Sequence, residues 1–138
     1  MTKVSIGKTF EFAAAHRLYR PEWSEAKNAE VFGKCAHPQS HGHNYKLEIS
    51  VLGEPHPETG YVLDAAILNA VVEEAVLSKV DHKHLDKDLD WFKDKTSSVE
   101  NLVNIIWDEL EAAFKPHHVA LSEIRIWETG RIFATRRI

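Results

Sequence analysis

Apolar and polar positions alternate from the start of the chain. Val4, Ile6, Phe10 and Phe12 share even parity, broken only at Lys8, and the parity runs on through Ala14 to His16. A period of two marks a half-buried strand, so the first strand ends with a histidine on its buried face. The next stretch, "RPEWSEAKNAEVFG" from Arg20 to Gly33, is polar and without sustained period, which predicts a loop with room for a short helix. A second strand follows over about residues 43–53, where Tyr45, Leu47, Ile49 and Val51 hold the odd parity. "EPHPETG" is rich in turn residues, and "YVLD" beyond it reads as the returning strand of a hairpin.

The period then lengthens. Asp64 is placed to cap a helix whose apolar residues Ile67, Leu68, Val71, Val72 and Ala75 recur at three- and four-residue spacing, with an end expected near Val80. "DHKHLDKDLDWFKD" is polar and rich in Asp and His. It leads to a second helix with Val99, Leu102, Val103, Ile106, Leu110 and Ala113 on one face, Ser97 and Glu100 at capping-box spacing, and Pro116 as a stop. Ile124, Ile126 and Glu128 return to a period of two, and "TG" offers a turn into a last short strand. The order strand, strand, helix, helix, strand, strand predicts an α+β fold: a four-stranded antiparallel sheet with two helices on one face. Its two open edges invite pairing with further copies, so an oligomer that closes the sheets into a barrel is expected.

Composition narrows the class. At 138 residues the chain suits one domain, residues 1–138, and its 43% hydrophobic and 28% charged residues are those of a globular protein. A net charge of −4 gives no general attraction to nucleic acid or anionic membranes, and no apolar run approaches the ~20 residues of a membrane span. The N-terminus lacks the apolar stretch of a signal peptide, and a single cysteine cannot form an intrachain disulfide; a cytoplasmic location follows as the default.

Candidate chemistry concentrates in "CAHPQSHGHNY", which holds the only cysteine and three of the nine histidines. His41 and His43 stand two apart on the parity that faces the core, and His16 reaches the same face from the first strand. A buried imidazole needs a partner for its lone pair, and three such groups fit a zinc ion with an open fourth position, the pattern of catalytic sites. Cys35 has two readings: a fourth ligand that closes a structural site, or an acid/base whose thiol is activated beside a cation. Asp81 and His82 form a candidate proton-transfer pair, with a solvated loop as the plainer alternative. Glu128 places a carboxylate on the apolar parity of its strand, either to anchor a ligand or to join a buried salt bridge.

"AAAHRL", "C-x5-HGHNYKLEI", "GYVLD", "VDHKHLD", "SSVEN" with "IIW", and "IRIWET" occur in this order over essentially the whole chain. Together they resemble the motifs of the 6-pyruvoyl-tetrahydropterin synthase family. The resemblance implies the tunnelling fold, or T-fold, with trimers that stack into hexamers. It implies zinc held by His16, His41 and His43, Cys35 as general base, and Asp81 with His82 as a proton relay supplied by a neighbouring subunit. Glu128 matches the pterin anchor, with Ser97, Ser98 and Glu100 expected near the substrate, 7,8-dihydroneopterin triphosphate; magnesium can accompany the triphosphate. The implied activity is a carbon–oxygen lyase that releases triphosphate and forms 6-pyruvoyl-tetrahydropterin without an external redox cofactor.

Two alternatives share these residues. The carboxy-tetrahydropterin branch uses the same substrate and zinc site, but usually has three residues between cysteine and HGH, where this chain has five. A non-catalytic zinc or pterin-binding module would not require Cys35, Asp81, His82 and Glu128 together. One departure stands out: many relatives carry Thr or Ser immediately before the glutamate of the second helix, and this chain has Val99. Arg17 and Lys34 lie near the motifs, but no residue is identified from the sequence as the triphosphate's partner.

Overall fold

A computed structural model describes residues 2–138. Its framework is a sheet of order β3-β1-β2-β4-β5. The long strands β1 (Val4–His16) and β2 (His41–Gly53) pair antiparallel over their whole length, and β4 (Ala120–Trp127) and β5 (Phe133–Arg137) continue the antiparallel pairing. The short β3 (Lys83–His84) runs parallel to β1 beside Ala14 and Ala15. The sheet is therefore five-stranded and mixed, where the hydrophobic pattern predicts four antiparallel strands. Two residues leave no periodic trace, so this strand cannot be read from alternation.

The hairpin strand expected at "YVLD" does not form. Both edges of β2 are already taken, by β1 and β4, so no ladder remains for it. Instead His56 organises a turn, accepting the Glu58 and Thr59 N–H groups at Nδ1, and Leu63 packs into the core.

Helix α1 (Glu25–Phe32) occupies the segment expected to be a loop with a short helix, and Ser24 caps it through the Lys27 N–H. Helix α2 (Ala65–Val72) starts under the Asp64 cap, at 2.8 Å from the Ala66 N–H. A π turn (Glu73–Leu77) and a final α turn (Ser78–Val80) carry it to the predicted end. Helix α3 (Val99–Phe114) buries Leu102, Val103, Ile106, Trp107, Leu110 and Phe114. Its cap is Ser98, which accepts the Asn101 N–H at 3.2 Å, so the expected Ser97–Glu100 capping box is displaced by one residue. That slip frees Ser97 and Glu100 from capping.

One face of the sheet, carrying Phe10, Phe12, Tyr45, Leu47, Ile49, Ile124 and Ile126, packs against α2 and α3 to form a single core. The opposite face carries Glu11, Lys46, Glu48 and Arg125, with the Trp127 ring tilted 41° against Phe133. No helix among the described residues is long and apolar enough to cross a membrane.

Candidate active site

Strand register assembles the site. In the β1–β2 ladder His16 lies directly opposite His41, and His43 is opposite Ala14, two residues along on the same face. Cross-strand partners have Cβ atoms about 5 Å apart, so three imidazoles converge at one end of the sheet with no loop required to bring them there. One ring nitrogen from each lies within 4.8 Å of the others, and among the described residues no further His, Cys, Asp or Glu joins this group. Cys35 is thus outside the ligand set, and the closed four-ligand reading is not supported.

The donor set fits a metal ion. His16 is 1% exposed, and its Nδ1 lies 2.8 Å from the Ser97 carbonyl oxygen. A carbonyl can only accept, so Nδ1 carries the proton and Nε2 is left with a lone pair. That Nε2, with His41 Nδ1 and His43 Nε2, is buried and without a hydrogen-bond partner among the described residues. Buried polar atoms are rarely left so, and metal-binding histidines commonly donate their second nitrogen to a carbonyl in this way.

Electrostatics favour neutral rings. Burial, reinforced by His41 and His43 against the opposing Ser97 hydrogen bond, pushes His16 down to about 4, and burial lowers His43 as well. A stability prediction follows for the metal-free protein. Between pH 6.5 and about 4 the unfolded chain carries the His16 proton and the folded chain does not. The unfolded state then binds more protons, so stability is full above pH 6.5 and falls as pH drops through this window. His16 accounts for a loss of about 3 kcal/mol by its lower limit. Urea unfolding at pH 7 and 4.5 reads it; a slope unchanged in His16→Gln would refute the assignment.

Glu128 closes one side. It sits at the end of β4, its N–H bonded to the Ile132 carbonyl, and its side chain is 17% exposed. Its carboxylate oxygens stand 3.9 Å from His16 Nε2 and 4.0 Å from His43 Nε2. No Lys or Arg pairs with it among the described residues, so the buried salt-bridge reading loses its partner. Burial, with the Glu100 charge adding to it, pushes its carboxyl above the usual range. At the floor of the site the buried Tyr45 hydroxyl has no partner, a feature hidden in sequence because Tyr45 simply continues the apolar parity of β2.

The Asp81–His82 pair is formed within the chain. Asp81 Oδ1 lies 3.0 Å from His82 Nδ1 and accepts the Ala13 N–H at 3.0 Å. Adjacent residues seldom face each other; here His82 adopts φ 61°, in the left-handed region, which turns its ring back onto Asp81. The Ala13 N–H, and then His82, hold the Asp81 carboxyl below its ordinary value. The His82 side chain is 83% exposed on the β3 edge of the sheet.

Cys35 lies half-buried in a 3-10 turn (Gly33–Ala36). Its carbonyl accepts the Leu18 N–H at 2.9 Å, and Arg17 Nε donates to the Ala36 carbonyl at 2.8 Å, which ties this turn to the chain just beyond His16. Arg17 is engaged further by Glu25 and by the Tyr19 ring. Ser98 spends its hydroxyl on the cap of α3, and Glu100 is exposed in the first turn. Ser97, expected at the substrate, is 0% exposed and turned toward His16 and Asp86. Val99 is buried in the core and brings no hydroxyl to the site.

Comparison with known proteins gives the same fold and residues a context. A family model described as 6-pyruvoyl tetrahydropterin synthase matches residues 5–137. The 6-pyruvoyl tetrahydrobiopterin synthase of Homo sapiens is 40% identical over 127 residues, 92% of this chain and 86% of the human protein. Its namesake from Poecilia reticulata is 43% identical over 126 residues, 91% of this chain and 84% of the fish protein. The solved structure of Caenorhabditis elegans 6-pyruvoyl tetrahydropterin synthase superposes with a TM-score of 0.91 at 35% identity, covering 100% of this chain and 97% of that one; the T-fold is shared. With its histidine triad, its five-stranded sheet and matches along nearly its full length, the chain belongs to the 6-pyruvoyl tetrahydropterin synthase family.

Proposed function

We propose that this chain is a zinc-dependent 6-pyruvoyl-tetrahydropterin synthase, a lyase that converts 7,8-dihydroneopterin triphosphate to 6-pyruvoyl-tetrahydropterin and triphosphate. The observation that carries this reading is the set of three buried, unpartnered imidazole nitrogens beside the Glu128 carboxylate. Zinc held by His16, His41 and His43 would supply Lewis-acid polarisation of the substrate's side-chain hydroxyls, which acidifies the adjacent C–H bonds.

The chain's own groups do the rest. Glu128 accepts hydrogen bonds from ring N–H and amino groups and so fixes the pterin, with Glu100 and Ser98 at the rim. Cys35 removes a proton from a side-chain carbon. His82, with its Nδ1 held by Asp81, presents Nε2 as the second proton carrier. Electrons balance within the substrate: one side-chain carbinol becomes a ketone as the ring C=N bond is reduced. Loss of a proton from the other carbinol carbon expels triphosphate with the electrons of its C–O bond, leaving an enol that takes up a proton at the terminal carbon to become the second ketone. No external oxidant or reductant is needed, and magnesium serves only as counter-ion to the triphosphate.

In this reading the Asp81–His82 pair serves a neighbouring subunit. Its exposure on a sheet edge supports that role, as does the shortness of β3, which leaves most of the β1 edge open for pairing. A trimer with sheets joined into a barrel, stacked as a hexamer in a reducing cytoplasm, completes the proposal.

Anaerobic incubation of the zinc-loaded protein with 7,8-dihydroneopterin triphosphate, read by mass spectrometry, tests it. The expected products are 6-pyruvoyl-tetrahydropterin and triphosphate. Carboxy-tetrahydropterin with acetaldehyde would move the chain to the carboxy branch, and no turnover at all would leave a binding module.

A further inference from the structure

Behind His16 stands a hydrogen-bonded chain for which the proposed chemistry has no use. Asp86, 10% exposed, accepts the Ser97 hydroxyl at 3.0 Å and the Arg17 N–H at 2.8 Å, both at Oδ2. The Ser97 hydroxyl has one proton, and its other neighbours are the Arg17 carbonyl and His16 Nδ1, each at 3.4 Å. A carboxylate is a stronger acceptor than a carbonyl and is also the nearer one here, so the proton goes to Asp86. The hydroxyl lone pairs are then left facing His16 Nδ1–H, alongside the Ser97 carbonyl at 2.8 Å.

Asp86 is itself held in place. Its N–H and that of Lys87 donate to His84 Nδ1, at 3.2 Å each, so His84 carries its proton on Nε2, which faces the Ser40 hydroxyl at 2.8 Å. Ser40 immediately precedes the ligand His41. The Asp86 segment thus braces β1 just past His16 and the chain just before His41, from a part of the sequence about 45 to 70 residues removed from either.

We infer that Asp86, acting through the Ser97 hydroxyl, is a positioning residue that helps hold the orientation of His16, whose tautomer the Ser97 carbonyl sets, so that Nε2 faces the metal. This rests on the histidine triad being a zinc site. Such outer partners commonly contribute about 10- to 100-fold to metal affinity. The carboxylate polarises Ser97, Ser97 becomes a better acceptor for Nδ1–H, and Nε2 becomes a better donor to the ion.

Zinc affinity measured by competition with a chromogenic chelator tests this without any assay of turnover. Asp86→Asn, which keeps the side-chain shape and removes the charge, should weaken zinc about tenfold or more. Ser97→Ala, which retains the backbone carbonyl, should weaken it similarly and serves as the second variant if Asp86→Asn does not fold. Because the two act in series, the double variant should bind no more weakly than the worse single one. A shifted visible spectrum of the cobalt-substituted variants should accompany the loss. Val72→Ala, a change in the hydrophobic core, should leave affinity and spectrum as in the parent.

Parent-like affinity in both Asp86→Asn and Ser97→Ala would overturn the inference while leaving the zinc site intact. Losses that multiply in the double variant would also overturn it, since they would show that Asp86 does not act through Ser97. Failure of the parent protein to take up zinc would instead sink the reading on which the inference rests, and the inference with it.

Discussion

Cys35→Ser is expected to lower turnover of 7,8-dihydroneopterin triphosphate by about 10²- to 10⁴-fold, the usual contribution of a positioned acid/base. Serine preserves size and approximate shape, but a hydroxyl is a far weaker acid and nucleophile than a thiol. KM should change little, because the proposed pterin anchor is Glu128 and not residue 35. Bound zinc should remain at the parent level, because Cys35 is not among the residues whose ligand atoms converge with the triad. The two readouts separate the two readings of this cysteine: lost turnover with retained zinc marks a base, whereas lost zinc marks a ligand. Unchanged turnover would remove Cys35 from the mechanism.

His43→Ala is expected to be still more damaging. If His43 is one of three ligands, as proposed, its removal should take away the ion as well as its Lewis-acid effect, a change worth several kcal/mol and therefore more than about 10³-fold in rate. His43 suits the test better than His16. Its ring is partly exposed and only Ala14 stands opposite it in the ladder, whereas His16 is fully buried and tied to Ser97 across the core. Zinc content after gel filtration should fall well below one per chain with the far-ultraviolet circular dichroism unchanged. Stoichiometric zinc in the variant would assign the site to other residues.

The triad is legible in the sequence because its geometry rests on alternation alone. A period of two places His41 and His43 on one face, the same parity places His16 on the buried face of β1, and an antiparallel ladder does the rest. Features that depend on tertiary placement are not legible. β3 is two residues long and exists because β1 offers an edge, and the absent hairpin strand at "YVLD" reflects edges already filled. The Asp81–His82 contact depends on a left-handed φ at a residue that does not announce one.

The start of α3 shows how small a displacement matters. Ser97 and Ser98 both satisfy the sequence rule for a cap, and only packing selects Ser98. Moving the cap by one residue leaves Ser97 free to face His16, with its carbonyl 2.8 Å from His16 Nδ1. Asp86 left a single hint, its place at the end of "DHKHLD", since its partners Ser97 and Arg17 are remote in sequence. Glu128 lies between these cases: parity identified a costly buried carboxylate, and the fold supplied the reason by setting it within 4 Å of two ring nitrogens without a basic partner.

The most direct test of the account is turnover of 7,8-dihydroneopterin triphosphate by one preparation, first stripped of metal by a chelator and then reloaded with one equivalent of zinc per chain. The stripped protein should release no triphosphate, and reloading should restore formation of 6-pyruvoyl-tetrahydropterin. Equal rates before and after reloading would contradict that expectation, as would a reloaded protein that holds zinc at the triad but releases no triphosphate.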